Sequence, residues 1–264
     1  MLAAPPPKES AWETLDAGLK SGSVEQRMQA LAAVSTIRGS DDVAAKRVEA
    51  ALHDRSVEVR REAALALGRM KATQSIPALK DALEDTGEVA FAAAKSLTEL
   101  GDPAGRGRLI AVLAGERKDT PGLLTNALRD AKKRIHHPEG LILMGAEDAA
   151  GTFFGPAAMA IPAGKSVMDL KGKGAPGRAA AAAYLTKDQD PYAVALLEWA
   201  LADGSHFVRT EAAKGLGDRG TAESVPKLES LLKDDHASVR LMAAAAIITI
   251  SDRTESGAGT DRAK

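Results

Sequence analysis

Residues 54–83 read DRSVEVRREAALALGRMKATQSIPALKDAL, and the chain repeats the stretch. Set over residues 203–232, DGSHFVRTEAAKGLGDRGTAESVPKLESLL, it aligns without a gap. Val59-Arg60 falls on Val208-Arg209, Glu62-Ala63-Ala64 on Glu211-Ala212-Ala213, and Leu67-Gly68 on Leu216-Gly217. Ile76-Pro77 falls on Val225-Pro226, Leu79 on Leu228 and Leu83 on Leu232. Within each copy the apolar residues recur at helical spacing, with Val57, Ala64 and Leu65 on one stripe and Ile76, Leu79 and Leu83 on another. The spacing predicts a helix over about residues 56–70 and a second over about 75–84. Ser75 is placed to cap the second, and Pro77 falls in its tolerant first turn. Two short antiparallel helices cannot bury their apolar faces alone. A repeated pair therefore predicts a stacked array.

Working outward, the spacing is regular. Arg27 and Arg60 are 33 residues apart, as are Gly68 and Gly101, while Arg178, Arg209 and Arg240 follow at intervals of 31. On the 33-residue offset Ala93 stands where Arg60 does, so one unit lacks its arginine. An Asp stands six residues before three of the arginines: Asp54 before Arg60, Asp203 before Arg209, Asp234 before Arg240. Each Asp lies at the turn into a helix, where a carboxylate is favoured, and each Arg over one turn inside it. These six residues form a candidate ladder between neighbouring units.

The composition agrees with an all-helical chain. Of the 264 residues 45% are hydrophobic, mostly Ala and Leu, and only 3% are aromatic. Small apolar side chains suit close helix packing, and few β-branched runs alternate with period two. The formal net charge of -1 carries no concentrated basic stripe, which argues against a nucleic-acid partner. The absence of Cys removes disulfides, thiolate metal sites and thiol catalysis. No apolar run approaches the roughly 20 residues of a membrane-spanning helix. The Pro-rich start, MLAAPPPKES, leaves open a cytoplasmic chain or the mature form of an exported one.

The signature D-x-x-x-V-R-x-x-A-A-x-x-L-G, followed by P-x-L-x-x-L-L, resembles HEAT repeats. The nearest type is the short bacterial one also found in phycobilisome-lyase-like proteins. The resemblance covers about residues 11–134 and 176–251. It implies an all-α, armadillo-like α-solenoid: a right-handed superhelix of six or seven antiparallel helix pairs. The expected organisation is a tail at 1–10, repeats at 11–135, an insert at 136–175, repeats at 176–252 and a tail at 253–264. In such arrays the helix that carries Val-Arg lines the concave face. The resemblance thus places Arg61, Arg69, Lys95, Lys214 and Arg219 where a partner protein would meet them.

The insert breaks the pattern. Residues 149–164 carry no charge, and Phe153 and Phe154 are half of the four Phe in the chain. Pro156 and Pro162 prevent a continuous helix. Three readings follow: a segment buried against the array, a binding element presenting Phe153, Phe154 and Met159, or a membrane-touching hairpin.

No catalytic constellation emerges. His206 and His236 precede Arg209 and Arg240 in turns and read as exposed. No His-Glu dipeptide occurs, whereas HEAT-like deoxyhypusine hydroxylases carry such pairs as iron ligands. No metal and no cofactor is expected. Gly164-Lys165-Ser166 lacks the leading Gly of a phosphate loop, since residue 159 is Met159. The sequence therefore reads as a protein-binding scaffold or adaptor without enzymatic activity. A HEAT-like lyase-type enzyme or accessory factor is the first alternative. A membrane-associated adaptor using residues 149–164 is the second.

Overall fold

A computed structural model describes residues 5–39, 41–113, 179, 182, 183, 185, 186 and 192–261. The insert at 136–175, with Phe153, Phe154 and Met159, lies outside the described residues. All regular elements among the described residues are helices: α1 (Pro7–Leu19), α2 (Val24–Val34), α3 (Asp41–Ala50), α4 (Val57–Arg69), α5 (Ile76–Asp81), α6 (Gly87–Glu99), α7 (Pro103–Leu113), α8 (Tyr192–Ala200), α9 (His206–Arg219), α10 (Val225–Leu231) and α11 (Ala237–Asp261). The fold is an all-α solenoid of helix pairs. The chain divides into two compact units, Gly18–His136 and Met1–Ala17 with His137–Lys264.

Helix α4 shows how one repeat is delimited. Ser56 is extended at φ -89 and ψ 128, and its side chain accepts from the Val59 amide. The Asp54 carboxylate accepts the Ser56 amide at 2.8 Å, which shapes the turn before the cap. At the other end Lys71 takes the left-handed conformation, φ 54, and the Ala72 amide closes onto the Leu67 carbonyl at 3.1 Å. That reversal frees the chain to enter α5. Gly101 does the same after α6 with φ 80, and Asp102 closes onto Leu97 at 2.8 Å.

These closures correct the repeat offset. Helices α4 and α6 both have 13 residues and begin at 57 and 87, 30 residues apart. Leu97 therefore matches Leu67 and Gly101 matches Lys71. Ala90, not Ala93, stands at the place of Arg60. One residue of the shortening arises in the turn, where the cap Thr86 follows Asp85 directly, whereas Ser56 follows Asp54 by two residues. Ser75 makes no capping bond either. It is fully buried, and its hydroxyl has no hydrogen-bond partner.

Burial also departs from a simple stripe. Helix α4 packs against α2 and α6, with α3 alongside, so Val59, Glu62, Ala63, Ala64, Ala66, Leu67 and Gly68 are all buried. Val57 and Leu65 are only half-buried. A helix with a neighbour on both sides needs small residues on more than one face. Gly68 shows the limit: a Cβ there would lie 2.5 Å from Ser96 Oγ of α6. The Ser96 hydroxyl uses that proximity to donate to the Ala64 carbonyl at 2.8 Å.

In the other unit α9 packs against α8 and α11, and α10 against α11. Residues 241–250 of α11, LMAAAAIITI, are all buried. Helix α1 starts at Pro7 and α11 runs on to Asp261, both inside stretches expected to be tails. Pro7 occupies the first helical position, where a missing N–H is harmless. Lys8 of α1 then pairs with Asp252 of α11 at 2.6 Å and Glu255 at 2.7 Å. No helix among the described residues is long and apolar enough to cross a membrane.

Candidate functional site

The arginines of the repeat sit on α2, α4, α9 and α11, and the cations picked out for a partner lie on α4, α6 and α9. The arginines fork. Arg27 Nε and Nη2 donate to both oxygens of Asp54 at 2.7 and 2.9 Å. Arg60 holds Asp85 at 2.6 and 2.9 Å, and Arg209 holds Asp234 at 2.8 and 3.0 Å. The remaining guanidinium nitrogen turns back to the carbonyl six residues earlier. Arg60 donates to Asp54, Arg209 to Asp203 and Arg240 to Asp234, at 2.8, 2.8 and 2.6 Å. Each Asp thus serves its own unit through its carbonyl. In Asp54, Asp85 and Asp234 the carboxylate serves the unit before. The Asp203 carboxylate accepts the Ser205 amide at 2.8 Å.

The forks leave an electrostatic trace. At Asp85 the Arg60 bonds outweigh burial and hold the carboxyl below the usual range. At Asp54 and Asp234 burial is the largest influence and opposes ionisation. The bonds from Arg27 and Arg209, with the Ser56 and His236 amides, overcome it and bring those carboxyls down as well. Arg27 and Asp85 belong to the forks although the six-residue spacing did not single them out. Asp85 stands before no arginine, because α6 has Ala90 at that position.

The five cations picked out on the Val-Arg helices stand in different surroundings. Arg61 meets Glu88 at 3.4 Å, Arg69 meets Glu62 at 2.7 Å, and Lys95 meets Glu99 at 3.7 Å. All three pairs lie in the Gly18–His136 unit, so its strip is charged but locally balanced. In the other unit Lys214 is half-buried, and Arg219 has a buried Nε without a hydrogen-bond partner.

Glu211, which aligns with Glu62, is 5% exposed, and its Oε1 has no partner. At the place of Arg69 this unit has Asp218. Burial pushes the Glu211 carboxyl up to about 7, against a smaller downward pull from Lys214. A carboxyl in that range can give or take a proton near neutrality. The alignment already showed two acids at one register position. What it could not show was that the position is buried in both units. Outside these strips, Trp199 on α8 is 76% exposed and was not singled out by sequence.

Two solved structures show what the chain is similar to. It is 20% identical to human deoxyhypusine hydroxylase in complex with glycerol, over 93% of this chain and 97% of that one, with a TM-score of 0.31. It is 24% identical to the complex of CpcE and CpcF of phycocyanin lyase from Nostoc sp. PCC7120, over 94% of this chain and 96% of that one, with a TM-score of 0.35. At these scores neither likeness transfers an activity. The expectation that the chain is not an enzyme is nevertheless corrected and withdrawn, because the structures it matches come from enzymes. No curated protein matches the chain. The model of HEAT repeats matches residues 44–129 and 175–248, more than half of the 264 residues, and the chain belongs to the HEAT-repeat family.

Proposed function

We propose that this chain is a protein-binding scaffold that meets its partner along the charged strip of the Val-Arg helices. One observation carries the reading. Helix α4 is buried on nearly every side except a strip on which Glu58 and Arg69 are exposed and Arg61 is half-buried, and the forks of Arg27 and Arg60 tie it to the turns of consecutive units. A strip held on stacked helices presents its charges at fixed spacing, which favours recognition of one complementary surface. In this reading Arg61, Arg69 and Lys95 contact a partner from one unit, and Lys214 and Arg219 from the other. The forks through Asp54, Arg60, Asp203, Arg209, Asp234 and Arg240 keep the repeats in register. Phe153, Phe154 and Met159 of the insert add apolar contacts.

The test is cross-linking of the tagged chain in its native host, followed by affinity measurement with the protein so identified. The double substitution R61Q/K95E, which keeps the Arg69–Glu62 pair, is expected to weaken binding at least about tenfold while leaving the unfolding midpoint close to that of the parent chain. Unchanged affinity in the folded double variant would sink the strip as the interface.

A further inference from the structure

We propose that the stacked imidazoles of His206 and His236 form an acid-sensitive latch on the joint between α9 and α11. The latch is closed while His206 is neutral and loosened when it takes a proton beside His236. The two rings lie face to face, centroids 4.0 Å apart and planes 8° from parallel. Sequence reading placed both in exposed turns. That holds for His236, which is exposed immediately before α11, whereas His206 is half-buried in the first turn of α9, with Phe207 against it at 4.0 Å. Parallel rings aim their nitrogen lone pairs side by side rather than at one point, so the pair is built for proton chemistry and not for chelating an ion.

The surroundings make double protonation unfavourable. His206 is held down to about 4, first by burial, then by His236 and by the Arg209 guanidinium, with Asp234 opposing. Asp234 lies 3.6 Å from His236, but both of its oxygens already accept from Arg209. The other charged groups nearby are also engaged. Arg240 of α11 donates to the Asp234 and Asp235 carbonyls, and Glu198 of α8 is bonded to Ser224 and Lys227. Polar links across the joint include the long contact from Thr210 to Ser238 at 3.4 Å and the bond that Arg253 of α11 donates to the Gly217 carbonyl of α9.

A histidine disfavoured in its charged form stabilises the fold above its unfolded value of 6.5. That contribution is lost as pH falls through the range down to about 4. In the Gly18–His136 unit the two matching positions, the first residue of the helix and the cap of the next, hold Val57 and Thr86. The same joint is built there without a titrating pair.

Glu211 changes charge in an overlapping range with the opposite sign, so the test uses full-length E211Q as background. Amide exchange of α11, corrected for intrinsic rates, is measured at about pH 6.5 and about pH 5 in E211Q and in E211Q/H206V. Protection in E211Q is expected to fall on the order of tenfold over that interval. In E211Q/H206V, which carries the valine of the other unit, it is expected to stay level. The His206 ring signal is expected to titrate near 4. Equal losses of protection in the two proteins, or a His206 ring that titrates at 6.5 or above, overturns the latch. Should H206V fail to fold, H206L takes its place with the same two outcomes.

Discussion

The stretches 54–83 and 203–232 fold into the same helix pair at the same register, yet they treat charge differently. In the first, the buried Glu62 has Arg69 at 2.7 Å. In the second, Glu211 occupies the matching position on α9 with no partner for Oε1, and Asp218 stands where the arginine would be. The first opens its helix with Val57, the second with His206, stacked on His236. Packing of small residues and the Arg–Asp forks is common to both, and that is sufficient to build the repeat. The neutralisation of buried charge is not common to both. Among the described residues that difference gives the C-terminal unit a carboxyl, Glu211, raised into the neutral range.

The largest effect tests what the units share. Arg27 and Asp54 are 4% and 14% exposed, so Arg27→Met leaves a nearly buried carboxylate without its fork. It is expected to lower the unfolding free energy by about 3 kcal/mol in urea titrations at pH 7. A loss no larger than that of an exposed surface pair, about 0.5 kcal/mol, would show that the forks do not hold the array. Because Asp54, Asp85 and Asp234 are held below their ordinary 3.8, the fork contribution is present above that value. It is lost only as pH falls beneath it.

The next effect tests where they differ. With a carboxyl raised to about 7, Glu211 costs nothing below its unfolded value of 4.5 and destabilises increasingly as pH rises through 7. Glu211→Gln is expected to raise stability at pH 8 by about 2 kcal/mol and to flatten the decline between pH 4.5 and about 7. Glu62→Gln, which removes a partner of Arg69, is expected to cost about 0.5 kcal/mol and to leave the pH profile unchanged. Thermal unfolding of both variants across pH 5 to 9 decides the matter. If the two glutamines behave alike, the contrast between the units is lost.

The smallest effect concerns helix ends. Lys71 holds φ 54, a conformation that Gly101 provides in the next repeat. Lys71→Gly is expected to stabilise the chain by about 0.5–1 kcal/mol, read as a higher urea midpoint at unchanged slope. A lower midpoint would mean that the flexibility glycine adds to the unfolded chain outweighs the relief.

The forks show how far the sequence could be followed. Spacing picked out Asp54 and Arg60 as members of one repeat, but the guanidinium of Arg60 reaches the carboxylate of Asp85, 25 residues on. No spacing rule applied within one repeat contains that partner, because it lies across a helix and a turn. The repeat offset failed for a related reason. Counting between glycines equated Gly68 with Gly101, although Gly68 is a packing position against Ser96 and Gly101 a turn position. One residue type served two physical purposes, and only the backbone separates them.

The sequence by itself determined the helix pair, its repetition and membership of the HEAT-repeat family. These follow from periodic apolar burial and local turn chemistry, which depend on residues a few positions apart. Which arginine meets which aspartate, and that His206 stacks on His236, were decided by tertiary structure. Desolvation and charge pairing depend on groups that stacking brings together from 25 or more residues away.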